Sequence, residues 1–211
     1  MLLTAIETTR RGRCALFGDG EFLFSVDPET LAKSGLCEGD ALDEQTLARL
    51  REQSDLRAAK DRALLLLSGR DHGAQELYQK LCRSFDEHTA AAAVAEMQRL
   101  GLLDDAAFAR RKAESLAARH KSRREIAAKL AALGLDRELI ADALDALDTG
   151  EGEQAAIRPL LERQYRGKLA AGGREKVLAA LARRGFRTRD AIAAVDRFLA
   201  EEGLDGPAQP D

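Results

Sequence analysis

The chain contains no tryptophan, and aromatic residues make up only 4% of its 211 positions. That scarcity argues against a single-strand nucleic-acid binder built on stacking platforms, which needs successive aromatic faces. Cysteine is also sparse. Cys14, Cys37 and Cys82 form an odd set with no C-x-x-C pair, so neither a disulfide framework nor a thiolate metal site is expected. The longest strongly apolar run, around Ala63 to Leu67, is far short of the roughly 18 residues that a membrane span needs. Glu7, Arg10, Arg11 and Arg13 interrupt any leader-like segment near the start, which leads us to expect a soluble protein of the reducing cytoplasm with no membrane partner. No phosphate loop, nucleophile elbow or dinucleotide fingerprint occurs. Gly18-Asp19-Gly20 reads as a hairpin turn and Gly150-Glu151-Gly152 as a linker. His72, His88 and His120 are far apart and lack ligand spacing, so they read as ordinary surface or turn histidines. Asp104-Asp105 invites an acid–base reading, but neighbouring helical residues point about 100° apart and Asp104 already has a helix to cap. No catalytic residue, cofactor or metal is expected, and the chain does not read as an enzyme.

Charge is nearly balanced overall, at −3, but it is segregated along the chain. Residues 61–134 carry 13 basic and 10 acidic side chains, 135–153 carry 1 and 7, and 154–190 carry 10 and 3. Two basic blocks are thus divided by an acidic one. Dense local patches on a weakly charged chain suit a partner of mixed character better than bare duplex DNA.

A helical phrase recurs with a period near 50: Glu76-Leu77-x-x-Lys80-Leu81, Glu125-Ile126-x-x-Lys129-Leu130, and Val177-x-x-x-Leu181 before Arg183-Arg184-Gly185-Phe186. Repetition at that period means a helical array, in which each unit buries its apolar face against its neighbours and offers an extended partner a long surface. Gly101, Gly134 and Gly185 mark helix ends. Asp104 with Leu103 and Phe108, and Asp136 with Leu135 and Ile140, read as caps with hydrophobic staples, and Ser122-x-x-Glu125 as a capping box. Helices are expected near 60–69, 74–84, 87–100, 105–119, 123–132, 137–147, 153–168, 174–184 and 189–201, in three groups of three, with Pro159 kinking or restarting the seventh. Before them, Thr4–Thr8, Arg13–Phe17 and Glu21–Val26 read as strands. Asp27-Pro28 opens a short helix ending at Gly35, and Asp43 opens another running to about Ser54. Residues 52–60 either link the two parts or continue into the next helix. The fold class is therefore mainly α: tandem three-helix repeats forming an elongated curved array, with a small N-terminal α+β extension built on a β-hairpin. The boundaries drawn are 1–57 for the extension, 58–110, 111–150 and 151–203 for the repeats, and 204–211 for a disordered tail.

The candidate contact residues are the cations. Between residues 110 and 124, Arg110, Arg111, Lys112, Arg119, Lys121, Arg123 and Arg124 face a single acid, Glu114. Phe108, Ala109, Ala113 and Leu116 form the buried stripe of their helix, which leaves Arg111, Lys112 and Arg119 largely on the opposite side. Arg123 and Arg124 occupy the first turn of the next helix, where a cation opposes the helix dipole at a cost of roughly a few tenths of a kcal/mol. Free amides flanked by guanidiniums at that point would make an anion site. The second patch, Arg174, Lys176, Arg183, Arg184, Arg187 and Arg189, brackets a short helix and its turn. Phe186 reads as a core plug and Cys82 as packing.

Taken together, these stretches resemble the RecX family of RecA regulators. They are Ala63-x-x-x-Leu67-x-x-Arg70 with Glu76-Leu77-x-x-Lys80-Leu81, Gly101-x-Leu103-Asp104-Asp105-x-x-Phe108-Ala109, Ile126-x-x-x-Leu130 with Gly134-Leu135, and Arg183-Arg184-Gly185-Phe186 with Ile192. The match runs from about 60 to 200, and the N-terminal strands with Leu36-x-x-Gly39-x-x-Leu42 resemble the extension of longer members. Two positions depart from the family pattern: Gly73, where members usually carry Ser or Thr, and Ser122, where they carry Gly. The resemblance implies a non-enzymatic modulator that lodges in the groove of the RecA filament on single-stranded DNA, blocks ATP hydrolysis and strand exchange, and favours disassembly or halts growth. We expect a monomer whose two basic patches face acidic filament surface or DNA, single- or double-stranded. The rival reading is a helix-turn-helix-like DNA-binding protein, although no helix presents a clear base-reading cluster.

Overall fold

The computed structural model describes residues 1–147 and 153–203. The linker expected at 150–152 and the tail expected at 204–211 lie outside the described residues. The chain divides into two units, Met1–Asp104 and Asp105–Asp211.

The first unit opens with an antiparallel meander of β1 (Leu3–Thr8), β2 (Cys14–Gly18) and β3 (Glu21–Val26) in the order β1-β2-β3. Positive φ at both Asp19 and Gly20 (49° and 87°) gives the turn of a two-residue hairpin, whose twist matches that of the strands it joins. The outer edge of β1 is covered: Leu3 donates to the Asp40 carbonyl at 2.8 Å, and Gly39 donates back to the Leu3 carbonyl at 2.8 Å. Next come α1 (Pro28–Ser34) and α2 (Glu44–Gly69), capped by Asp27 and Asp43, whose carboxylates accept from the amides of Thr30 and Thr46. The charged stretch 52–60 continues the helix, so α2 runs unbroken for 26 residues, about 39 Å, through the boundary drawn at 57/58. Its first half packs Leu50 onto the sheet with Leu3, Leu16 and Val26. Its second half packs Ala59 and Ala63 against α3 (Ala74–Leu81) and α4 (Glu87–Arg99) through Leu77, Leu81, Ala90, Ala93 and Met97. One helix therefore serves both the sheet core and the first three-helix repeat.

In the second unit, α5 (Asp105–Ala117), α6 (Arg123–Ala132) and α7 (Arg137–Asp145) enclose Phe108, Ala109, Ala113, Leu116, Ile126, Leu130, Leu135 and Ala143. Since α5 crosses 110/111 and contributes its whole stripe here, it belongs to the second repeat from its first residue. Leu103 is buried in the first unit's cluster and Phe108 in this one, so the expected staple serves two separate cores. Asp136 holds the N-cap position of α7 but makes no side-chain cap bond.

The third repeat starts with α8 (Gln154–Leu160), passes through a π-helical turn at Leu161–Tyr165 and ends its first arm as α9 (Arg166–Ala170). Pro159 lies just before the π turn, as expected where a missing amide loosens the i→i−4 ladder. With α10 (Arg174–Arg183) and α11 (Thr188–Glu202), this arm encloses Ile157, Leu161, Val177, Leu181, Phe186, Val195 and Phe198. The recurring phrase is therefore the middle helix of each repeat. Leu77 and Leu81, Ile126 and Leu130, and Val177 and Leu181 are each within 2% of complete burial.

Candidate partner-binding surface

Repeats 2 and 3 meet where helices begin. Ser122 precedes α6, Arg187 precedes α11, and Glu153 precedes α8. The Ser122 hydroxyl accepts from the Glu125 amide at 3.2 Å, as a capping box requires, and donates to the Arg184 carbonyl at 2.7 Å across the repeats. The Glu153 carboxylate is 4% exposed. One oxygen accepts from the Arg123 amide at 2.6 Å and the other from the Arg187 amide at 2.8 Å. Gly185 completes the junction. Its φ is +87°, and a Cβ there would lie 3.0 Å from the Ser122 hydroxyl and 3.2 Å from the Arg124 Cβ, so the site needs glycine for both its backbone and its clearance.

This geometry corrects the expected anion site at the start of α6, because the amide is already taken by Glu153. Arg123 is likewise committed. Its guanidinium donates to the Leu144 carbonyl at 2.7 Å and to Asp145 at 2.9 Å, and its side chain is 22% exposed. It ties the start of α6 to the end of α7.

The other candidates fall into two groups. Lys121 pairs with Glu125 at 2.9 Å, Arg174 with Asp196 at 2.6 Å, and Arg184 donates to Gln164 at 3.0 Å. Arg189 is 93% exposed and reaches only a loose 3.9 Å approach to Asp190, and Arg111 has an internal interaction of its own. Arg110, Lys112, Arg119, Arg124, Lys176, Arg183 and Arg187 are exposed and form no ion pair among the described residues. Arg124 and Arg187 line an open groove of 530 Å³ between the two repeats, with Ala127, Ala141, Leu144 and Phe186 among its walls.

The first unit holds a second charged cluster, at the start of α3. Glu76 meets Arg70 through two guanidinium hydrogen bonds, the His72 Nδ1 at 3.0 Å and Lys80 at 3.5 Å. Burial raises the Glu76 pKa, but the Arg70 hydrogen bonds and the close approach of the His72 ring outweigh burial and hold it at about 2, against an ordinary 4.5. His72 is buried, at 4% exposure, which corrects its reading as an ordinary surface or turn residue; His88 is an exposed one. Sequence reasoning missed both Glu153 and the Glu76 cluster. The Arg70-x-His72-x-x-x-Glu76-x-x-x-Lys80 spacing signalled the cluster, whereas Glu153 contacts residues 30 and 34 positions away and left no local trace. Among the described residues no group of acids, histidines and cysteines is arranged to hold a metal, and no helix is long and apolar enough to cross a membrane.

Two sequence-family profiles match the chain: the second three-helix domain of RecX over residues 104–144 and the first three-helix domain of RecX over residues 59–97. These spans fall on the second and first repeats as their cores define them. Regulatory protein RecX of Chlorobaculum tepidum is 35% identical over 149 residues, covering 69% of this chain and 91% of its own length. The protein of the same name from Stenotrophomonas maltophilia is 36% identical over 153 residues, covering 71% and 90%. A crystal structure of regulatory protein RecX superposes with a TM-score of 0.71 at 25% identity, covering 92% of this chain and 98% of the other.

Proposed function

The chain belongs to the RecX family, and from that premise we propose that it is a non-enzymatic regulator that binds the RecA recombinase filament on single-stranded DNA and restrains its ATPase and strand exchange. The observation that carries this reading is the set of exposed cations on repeats 2 and 3 that form no ion pair among the described residues, above all Arg124 and Arg187 lining the groove. Exposed charges of one sign on a rigid helical scaffold steer an oppositely charged partner and set its register. Acidic filament surface, or phosphate carried within the filament, is the complementary partner.

The test is ATP hydrolysis by the cognate RecA on single-stranded DNA while this protein is titrated in. Inhibition well below one molecule per recombinase indicates capping or disassembly of filaments, and inhibition near equivalence indicates coating of the groove. Arg124→Glu combined with Arg187→Glu should weaken inhibition by about tenfold or more, equivalent to about 1.4 kcal/mol, with the helical circular-dichroism spectrum retained. Arg123→Glu should instead lower the melting temperature, since that side chain holds the end of α7. No inhibition, together with direct binding to duplex DNA, would favour the helix-turn-helix-like reading.

A further inference from the structure

Among the described residues, Glu153 is the one buried carboxylate that touches two repeats through both of its oxygens. Its backbone begins α8, with its carbonyl accepting from the Ala156 and Ile157 amides at 3.1 Å each, while its side chain reaches the first amide of α6 and the N-cap amide of α11. We propose that Glu153 is a built-in carboxylate ligand: it fills an oxyanion site formed jointly by the starts of α6 and α11 and, by filling it, locks repeats 2 and 3 at one angle.

A carboxylate removed from water is strongly destabilised unless charge-assisted hydrogen bonds replace its hydration. Here each oxygen receives an amide from a different helix, and each amide lies at the positive end of a helix dipole. The two helices are 10 and 15 residues long, so both dipoles are developed. The first turn of α6 carries Arg123 and Arg124 against one acid, Glu125, whereas that of α11 sets Arg189 beside Asp190, so the excess positive charge that an anion relieves lies at the start of α6. The Ser122–Arg184 bond is a second strut across the same junction. The ligand class follows from the geometry: two divergent amides accept one planar, two-oxygen anion. One consequence rests on the regulatory reading above. With the amides occupied, a partner's acidic groups or phosphates are recognised by the Arg124 and Arg187 side chains, whose separation the Glu153 clasp holds constant.

The experiment is chemical rescue in the full chain. Glu153→Ala should lower the thermal unfolding midpoint by about 6 °C. Sodium formate at about 0.3 M should then raise the variant's midpoint by about 2 °C more than sodium chloride at equal ionic strength, while the wild type responds equally to both salts. A variant as stable as the wild type, or one with no preference for formate, overturns the proposal. Should Glu153→Ala fail to fold, Glu153→Gln keeps the shape but sets an amide nitrogen against a backbone donor. It should lose about half as much midpoint and gain nothing from formate, and a Glu153→Gln protein as stable as the wild type overturns the carboxylate assignment. Neither readout involves RecA, so failure of the regulatory reading and failure of this one remain distinct.

Discussion

The middle helices of the first and second repeats share one phrase yet stabilise their starts by opposite means. At α3 the N-cap is Gly73, with no side-chain cap bond, and stabilisation comes from nearby residues: Glu76, in the third helical position, gathers Arg70, His72 and Lys80. At α6 the N-cap is Ser122 with its own bond, but the equivalent acid, Glu125, pairs with Lys121 at 2.9 Å and more loosely with Lys129 at 3.9 Å, and the decisive anion arrives from Glu153. The first solution closes within about ten residues. The second spans two repeats, so the helix start becomes a joint. A repeat sequence thus specifies the helix, while the few residues at its start decide whether the anion there is local or arrives from the next repeat.

The largest expected effect probes what the repeats have in common. Leu81, Leu130 and Leu181 are all fully buried, and Leu→Ala at any of them should cost about 3 kcal/mol, read by urea unfolding followed at the helical circular-dichroism band. If the repeats differ only at their helix starts, the three losses agree to within about 1 kcal/mol. A loss at Leu181 far below the others would show that the third core is built more loosely.

A smaller effect separates the two acids. Glu76→Gln should cost about 1 to 2 kcal/mol at pH 7, discounted because the side chain still meets water, whereas Glu125→Gln should cost roughly a few tenths. The Glu76 pKa is depressed in the fold, to about 2 from 4.5. Its contribution is therefore complete above about pH 4.5 and is lost as the pH falls toward 2. Acid titration of stability should show this loss in the wild type and in Glu125→Gln but a flatter limb in Glu76→Gln. Equal acid limbs in both variants would place the anion's role elsewhere.

How much of this was legible followed the range of the interactions. Strands β1 to β3, the caps at Asp27, Asp43 and Ser122, the helix stops and the buried pairs Leu77–Leu81 and Ile126–Leu130 all depend on periodicity or on bonds within four residues, and the structure has them where the sequence placed them. The continuity of α2 was left open because its polar middle, 52–60, carries no breaker, and packing at both ends is what commits it to one helix. The burial of His72 and the clasp of Glu153 depend on tertiary neighbours, so local pattern left the first as a turn residue and the second as one acid in an acidic block. The basic stretch from 110 to 124 was legible as a patch, but its division into exposed Arg124 and committed Arg123 required Asp145 and the Leu144 carbonyl to be in place.

The finest test exchanges the caps themselves. Gly73 sits at φ −77° and ψ 156°, a conformation that serine adopts without strain, so Gly73→Ser should gain roughly a few tenths of a kcal/mol by capping α3. Ser122→Gly should lose a similar amount from the cap and about 1 kcal/mol more from the vacated Arg184 carbonyl. The two changes are chemically inverse, so any excess loss at Ser122 measures the coupling between repeats 2 and 3. That excess should shrink in a Glu153→Ala background, where the joint is already loosened, and a double-mutant cycle on the two sites reads it directly. Equal and opposite effects at Gly73 and Ser122 would mean that both caps act locally and that the joint depends on Glu153 alone.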